Sequence, residues 1–381
     1  MSRLWQRFLT WLEQRWVAPA YAGGVLSGLA LSLLGAAINS MSGWLYAMSG
    51  IMMAIALINI WASPRSLRGL QIYRQPIRPV SVGETLAAEI VLENSTQRAK
   101  VLLQLRDQMP AALGEVPETA IATLAAREQY TWTYTCTPTQ RGIYRWETVS
   151  LRTAAPFGLF WSQRSRQVAT HATIYPQILS LSRCPLIDHM GIATGLRWQS
   201  SRQAQQATQG LTRAMRPYRW GDPTRLIHWR TSARYGELRV RELEEQTADN
   251  QVIIGLDTRD LWTAAAFESA VVAAASLYRY SLQRQLSVAL WLPQTGLLQN
   301  QHAILSALAE VMPRSSGSPQ RLPTQPLIWL GSGAIAPPAL PQGSLWVNWR
   351  VNDTAQTALK PALTIQPDAP LVTQLEADLL K

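Results

Sequence analysis

Residues 22–38 read AGGVLSGLALSLLGAAI and residues 44–62 read WLYAMSGIMMAIALINIWA, with the polar break NSMSG at 39–43 between them. No charged residue occurs anywhere from 20 to 62. Each run has about 20 residues, enough to cross roughly 30 Å of hydrocarbon as a helix. The two runs predict a hairpin of transmembrane helices, with Gly24 and Gly28 at G-x-x-x-G spacing on the face where the backbones approach. A cleaved signal peptide fits less well, because the second run follows at once and a charged, Trp-rich segment precedes the first.

Arg3, Arg7 and Arg15 lie before the first run, and Arg65, Arg68, Arg74 and Arg78 follow the second, while the connecting loop has no positive charge. Positive flanks stay on the cytoplasmic side, so a two-span membrane protein with both termini in the cytoplasm is expected. Leu4, Trp5, Phe8, Leu9, Trp11, Leu12 and Trp16 recur near helical spacing among Arg3, Arg7, Glu13 and Arg15. That pattern predicts a helix lying in the headgroup layer, with a frayed, solvated tail as the alternative. Residues 1–66 form the membrane unit in this reading.

The chain of 381 residues is long enough for two well-filled cores besides the spans. Its net charge is +11, and Lys occurs only at 100, 360 and 381, so the basicity is an arginine signal. Arginine pairs with carboxylates and phosphates alike, which leaves anionic lipid, nucleic acid and internal ion pairs open. Cys136 and Cys184 lack C-x-x-C spacing and read as ordinary thiols in a reducing compartment rather than as a disulfide or a nucleophile.

From 67 to 180 the period changes. Residues 86–92 (LAAEIVL), 101–105 (VLLQL), 130–136 (YTWTYTC) and 144–151 (YRWETVSL) alternate as half-buried strands do. Turn signals at 82–84, 93–95 and 140–142 separate them, and an antiparallel, immunoglobulin-like β-sandwich is expected. The segment 155–160 (APFGLF) reads as a turn closing the sandwich with both Phe rings buried. His171 stands alone and no metal-ligand spacing occurs here, so a structural or docking role is expected.

Residues 181–250 read as a linker followed by an Arg-rich run, with a low-hydrophobicity loop at 201–210 (SRQAQQATQG). Gly221-Asp222-Pro223 is a turn and helix start, Asp222 capping and Pro223 at the first helical position. Arg225, His228 and Trp229 would then share one helical face. A strand over 238–243 would place Arg239 and Arg241 on one side and Val240 and Glu242 on the other. Neutralised by Asp222, Glu242, Glu244 and Glu245, the arginines make a structural lock on the next domain; otherwise they make a recognition surface for a partner's acidic groups.

The ordered set Arg216, Tyr218, Gly221, Asp222, Arg225, Ile227, His228, Trp229, Ser232, Ala233, Arg234, Arg241 and Glu242 resembles the hallmark run of the DUF58 family, a domain of unknown function. The resemblance extends to two N-terminal spans, a β-rich segment with a Pro-Phe-Gly-Leu-Phe turn (here Pro156 to Phe160), and a C-terminal von Willebrand factor A-like domain. It implies a MoxR-type AAA+ ATPase as partner.

Independently, residues 251–257 (QVIIGLD) form an apolar run ending in a carboxylate, as in a buried parallel strand. A helix over 264–283, a strand over 286–292, a helix over 302–312, strands over 326–330 and 344–348 and a last helix over 370–380 continue the alternation, so residues 251–381 are expected to form a doubly wound α/β domain. Ligands of such sheets sit at the carboxyl ends of strands, where Asp257 lies. The metal motif of von Willebrand A-like domains, Asp-x-Ser-x-Ser, is here Asp257-Thr258-Arg259-Asp260-Leu261, a degenerate site. Arg and Leu stand where hydroxyls would hold Mg²⁺, and Arg259 is placed to lend its guanidinium to Asp257 instead.

The expected function is a membrane-anchored interaction platform, not an enzyme, with neither cofactor nor metal. The alternatives are a hydrolase or nuclease using Asp222, His228 and Glu242 as acid–base groups, and a nucleic-acid-binding protein. The first lacks a nucleophile and a Gly-rich phosphate loop. The second is weakened because acids are interleaved with the arginines after Asp222, and no nucleic acid is expected; membrane lipid accounts for much of the remaining excess.

Overall fold

The computed structural model describes residues 16–190, 212–219, 227–243, 251–314, 321–333, 338–349 and 361–379, with backbone alone at 212–216 and 241–243. The helix expected in the headgroup layer and the loop at 201–210 lie outside these residues. The chain divides into two compact units, Met1–Pro176 and Gln177–Lys381.

In the first unit the uncharged runs are helices α1 (Tyr21–Ser40) and α2 (Gly43–Ser66). Both are long and apolar enough to cross a membrane, and only 17% of each apolar window is buried. A soluble protein's core helix would hide such a surface; here Val25, Leu29, Leu31, Ile51, Leu57 and Ile58 are exposed. The seam between the helices differs from the expected Gly24/Gly28 face. The buried residues are Gly23, Ala30 and Ala37 on α1 and Ser49, Ala56, Asn59 and Ser63 on α2, of which Gly23 and Ser63 meet the 155–160 turn. A Cβ on Gly24 or Gly28 would meet nothing within 4 Å. The seven-residue spacing of small residues sets the line of contact, and the Ser49 hydroxyl donates across it to the Ala30 carbonyl at 2.8 Å.

The following strands are β2 (Leu70–Arg74), β3 (Val80–Ser81), β4 (Leu86–Asn94), β5 (Lys100–Asp107), β6 (Glu118–Leu124), β7 (Gln129–Cys136), β8 (Gly142–Thr153) and β9 (Phe160–Tyr175). One sheet is β2-β4-β7 and the other runs β1-β9-β8-β5-β6, where β1 is Ala18–Pro19, ahead of α1. A single core fills the space between the sheets: Leu70, Leu86, Ile90 and Leu92 from one, Leu103, Leu105, Val149, Leu151 and Ile174 from the other. This is a β-sandwich, antiparallel apart from the short β3 pairing parallel with β9.

The turn at 155–160 joins β8 to β9 rather than closing one sheet on the other, and it meets the helices. The Ser63 hydroxyl donates to the Ala155 carbonyl at 2.6 Å. The Ala20 amide donates to Leu159 O at 2.9 Å. A Cβ on Gly23 would lie 1.9 Å from that same oxygen, so only glycine allows the approach. Contrary to expectation, one Phe ring is buried: Phe160 is 6% exposed and Phe157 58%. The Ser63 hydroxyl lies 3.4 Å from the Phe160 carbonyl, while the Phe157 ring stays on the surface.

Across the sandwich core, Asp107 is fully buried and collects three donors. Arg74 forms a two-pronged pair with it at 2.6 and 2.7 Å, the Tyr134 hydroxyl donates at 2.5 Å, and Trp146 Nε1 donates at 3.1 Å. Arg74 and Tyr134 belong to one sheet, Asp107 and Trp146 to the other. Burial, followed by the bond to Asp107, pushes the Tyr134 hydroxyl pKa well above its ordinary value.

The second unit contains a six-stranded sheet in the order β14-β13-β12-β15-β16-β17. Its strands are β12 (Gln251–Leu256), β13 (Ser287–Leu292), β14 (Gly296–Leu298), β15 (Leu327–Gly331), β16 (Leu345–Trp349) and β17 (Leu363–Ile365). All pairings are parallel except β13 with β14. The other described elements are a two-stranded ladder of β10 (Thr212–Pro217) with β11 (Arg239–Leu243), a helical stretch at 185–190, and the helices α3 (Trp229–Tyr235), α4 (Ala264–Gln283), α5 (Gln301–Glu310) and α6 (Leu371–Leu375). The last two are shorter than expected. Residues 177–190, expected to lie at the edge of the sandwich and in the linker, pack on α4 and its neighbours instead: the Leu179 amide bonds Ser276 Oγ at 3.0 Å and Cys184, Leu186 and Ile187 are buried. Their apolar side chains belong to the α/β core.

Asp107→Ala should cost about 3–5 kcal/mol, because it strands a buried guanidinium. The double replacement Arg74→Met with Asp107→Leu removes both charges and should cost less than the single change. Thermal melts of the full chain in detergent rank the two variants.

Candidate functional site

The Arg-rich run is organised around two strands, β10 (Thr212–Pro217) and β11 (Arg239–Leu243), paired antiparallel with Arg216 opposite Val240, Met215 opposite Arg241 and Ala214 opposite Glu242. The ladder extends through the Tyr218 amide to Leu238 O at 2.8 Å. Ile227 bridges to Val240, and both are buried, which ties the far end of the motif onto the same strand. Gly221, Asp222 and Arg225 lie outside the described residues.

Helix α3 begins at Trp229, and the helix start expected at Asp222-Pro223 lies outside the described residues. His228 has non-helical backbone (φ −88°, ψ 84°), and its amide donates to Arg239 O at 2.9 Å, so α3 starts at Trp229. His228 is the N-cap. Its Nδ1 accepts from the Thr231 amide at 3.2 Å and lies 2.7 Å from the Thr231 hydroxyl. His228 therefore precedes the helix that Trp229 opens, and Arg225, expected on the same face, lies outside the described residues. At the other end Gly236, at φ +72°, closes the helix, its amide donating to Ser232 O at 2.9 Å. Ser232 Oγ accepts from the Arg239 amide at 2.9 Å and donates to His228 O at 3.1 Å. His228, Ser232 and Arg239 thus form one hydrogen-bonded core.

Around that core the side chains face outward. Trp229 is 66% exposed and Tyr235 59%, with Arg230 and Arg234 exposed between them. Arg239 lies 4.2 Å over the Tyr235 ring and pairs with Glu237 at 2.7 Å. Thr231, Glu237 and Tyr235 were absent from the sequence-based site. Thr231 sits three residues after His228, the spacing of a cap and its N3 partner, and is the one whose position carried a signal.

The second location is the carboxyl end of the central strands. Strand order reverses between β12 and β15, and Asp257 follows β12 there, its amide bonded to Leu330 O at 3.0 Å. Asp257 Oδ1 accepts from Arg259 N at 3.0 Å and Arg259 Nε at 3.1 Å. Trp262 Nε1 donates to the Asp257 carbonyl at 2.6 Å. Asp260, 3% exposed, accepts from Leu261 N and from Ser332 N, both at 2.8 Å, joining the loops after β12 and β15. The buried Thr258 hydroxyl accepts from Gln294 at 2.8 Å. This loop is held by its own donors, and the cation beside Asp257 is a guanidinium. No group of three or more metal-ligating side chains occurs among the described residues. Cys136 and Cys184 are free thiols, and burial pushes Cys184 up to about 11, so it stays protonated at neutral pH.

Two apolar helices, a β-sandwich and a mainly parallel α/β sheet define the class. Within it, residues 214–318 match the family model described as "Protein of unknown function DUF58", which supports the DUF58 resemblance carried by Arg216 to Glu242. Comparison with curated proteins gives no match. Among solved structures, the CARDB domain of the PF1109 protein from Pyrococcus furiosus is 15% identical, over 28% of this chain and 94% of that one, with a TM-score of 0.21. The ASH/PapD-like domain of human CEP192 is 14% identical over 29% and 87%, with a TM-score of 0.20. A protein of unknown function from Porphyromonas gingivalis W83 is 17% identical over 30% and 52%, with a TM-score of 0.22. Likeness at this level carries no argument about fold or activity.

Asp260→Ala should destabilise more than Arg259→Ala. The first leaves the buried Ser332 amide without this acceptor, at about 1–3 kcal/mol; the second removes a half-exposed ion pair, a contribution of about 1 kcal/mol or less. Thermal melts of both variants, with and without Mg²⁺, test this, and Mg²⁺ should leave the wild-type melting temperature unchanged.

Proposed function

We propose that this protein is a membrane-anchored interaction platform working from the cytoplasmic face with a MoxR-type AAA+ ATPase, in the assembly or maturation of other proteins. The observation that carries this reading is the α3 surface: Trp229 and Tyr235 are exposed beside Arg230 and Arg234, on a helix held rigid by His228 and Gly236. Aromatic and arginine side chains dominate the energy of protein interfaces. A pre-ordered helix loses little freedom when it binds.

The von Willebrand factor A-like reading of the second unit is supported by the strand order, by the antiparallel third strand and by the position of Asp257 at the switch point. In that reading the ion pair with Arg259 replaces a divalent cation. The cytoplasmic orientation is supported by the arginines flanking both helices. Hydrolysis is disfavoured because His228 Nδ1 is engaged as a helix cap. Nucleic-acid binding is disfavoured because Arg74, Arg239 and Arg259 face carboxylates of the same chain.

The test is binding of a MoxR-type ATPase from the same genome to the full chain in nanodiscs. Replacing both Trp229 and Arg234 with Ala should weaken binding by roughly thirtyfold, the equivalent of about 2 kcal/mol, without lowering the melting temperature. Absence of binding with and without nucleotide, or unchanged affinity of the double variant, rejects the reading.

A further inference from the structure

Both helices emerge from the same end of the β-sandwich, and four of its loops gather there. Those loops are residues 65–69, 95–99, 125–128 and 154–159, and buried Asn94 ties two of them together: its Nδ2 donates to Arg98 O at 2.9 Å and Ala125 O at 2.7 Å. Ser95 adds the loop after α2 through its amide and hydroxyl to Gly69 O, at 2.9 and 2.7 Å. The fourth is held by Ser63 on Ala155 O.

The charges and rings of this end are one-sided. Its loops hold Arg65, Arg68, Arg98 and Arg127, all exposed, against a single acid, Glu128, whose carboxylate is turned back onto the Ala125 amide at 2.6 Å. The loops at the opposite end, 75–79, 82–85, 108–117 and 137–141, balance Arg78 and Arg141 with Glu84 and Glu115. Lys100, buried beside the basic end, has its amine pKa lowered by burial and then by Arg98. The exposed aromatics Tyr21, Trp61 and Phe157 lie at this same end, and Arg65 stacks 3.8 Å over Trp61. Such rings and arginines are enriched where hydrocarbon meets water.

Reach agrees with charge. Only residues 67–69 separate α2 from β2, a link of at most about 10 Å. The headgroup layer is itself roughly 5–8 Å deep on each side.

We propose that this end of the sandwich is a binding face for anionic phospholipid: Phe157 enters the boundary between headgroups and acyl chains with Trp61 and Tyr21, and Arg65, Arg68, Arg98 and Arg127 meet lipid phosphates. The sandwich then lies against the bilayer instead of swinging from it. The proposal rests on the reading of α1 and α2 as membrane spans and goes beyond it, because Arg98, Arg127 and Phe157 belong to the sandwich.

Spin labels on the full chain in phosphatidylglycerol-containing nanodiscs test it, at Phe157→Cys, at Ile58→Cys as the span control and at Thr139→Cys as the far-end control, with Cys136 and Cys184 replaced by Ala. The Ile58 and Phe157 labels should be accessible to oxygen and shielded from aqueous nickel, and the Thr139 label the reverse. A water-exposed Phe157 label with a lipid-exposed Ile58 label overturns the proposal and leaves the anchor standing. A water-exposed Ile58 label overturns both. In parallel, Arg98→Glu with Arg127→Glu, both at exposed positions, should abolish the gain in melting temperature on moving the wild type from phosphatidylcholine to phosphatidylglycerol nanodiscs. No gain in the wild type, as for a face that binds a soluble acidic protein instead, also overturns the proposal.

Discussion

A single carboxylate, Asp107, fixes how the two sheets of the sandwich face each other. Apolar packing alone tolerates sliding of one sheet over the other, because Leu, Ile and Val contacts are non-directional. A two-pronged guanidinium, a phenol and an indole converging on one buried anion do not, since each bond requires its own distance and angle. Arg74 also lies over the Trp146 ring, 5.6 Å from its centre, so the cation is held from two sides. Fixing the sheets fixes the turn between β8 and β9, and through it the docking point of both helices.

Arginine is used in three different ways along the chain. Arg74 is almost fully buried against a carboxylate, Arg259 is half exposed and stands beside Asp257 at the switch point, and Arg65, Arg98 and Arg127 face outward. The formal charge of +11 counts them all alike. Composition therefore overstates the charge presented to a partner, and the surface that remains basic is concentrated on particular loops.

Local signals are the most legible part of the sequence. The charge-free runs became α1 and α2, the bounds 264–283 of α4 came out unchanged, and the alternating runs at 86–92 and 130–136 are central to β4 and β7. In the site, Arg259 two residues after Asp257 was readable because the spacing alone brings the two within reach. What escaped depends on partners distant in sequence. Glycine spacing names two possible faces of α1, and the Leu159 carbonyl, more than a hundred positions away, selects Gly23. The start of α3 is likewise set at a distance: pairing of Ile227 with Val240 and of the His228 amide with Arg239 O keeps those two residues out of the helix, which begins at Trp229. Strand β1 is two residues long and invisible to any periodicity.

That short strand constrains how the chain can thread. Ala18 pairs with Trp161 and Pro19 with Phe160, so residues before the first helix share a sheet with residues after the second. A sheet cannot be shared across a bilayer, so for helices that cross one, as proposed, the two flanks lie on one side of it, whichever side that is. The pairing also covers the first two residues of β9's outer edge, whose last two pair with β3. During synthesis the N-terminal segment must wait, unpaired, for about 140 residues until β9 is made, and the sandwich can close only once the hairpin has turned back on itself.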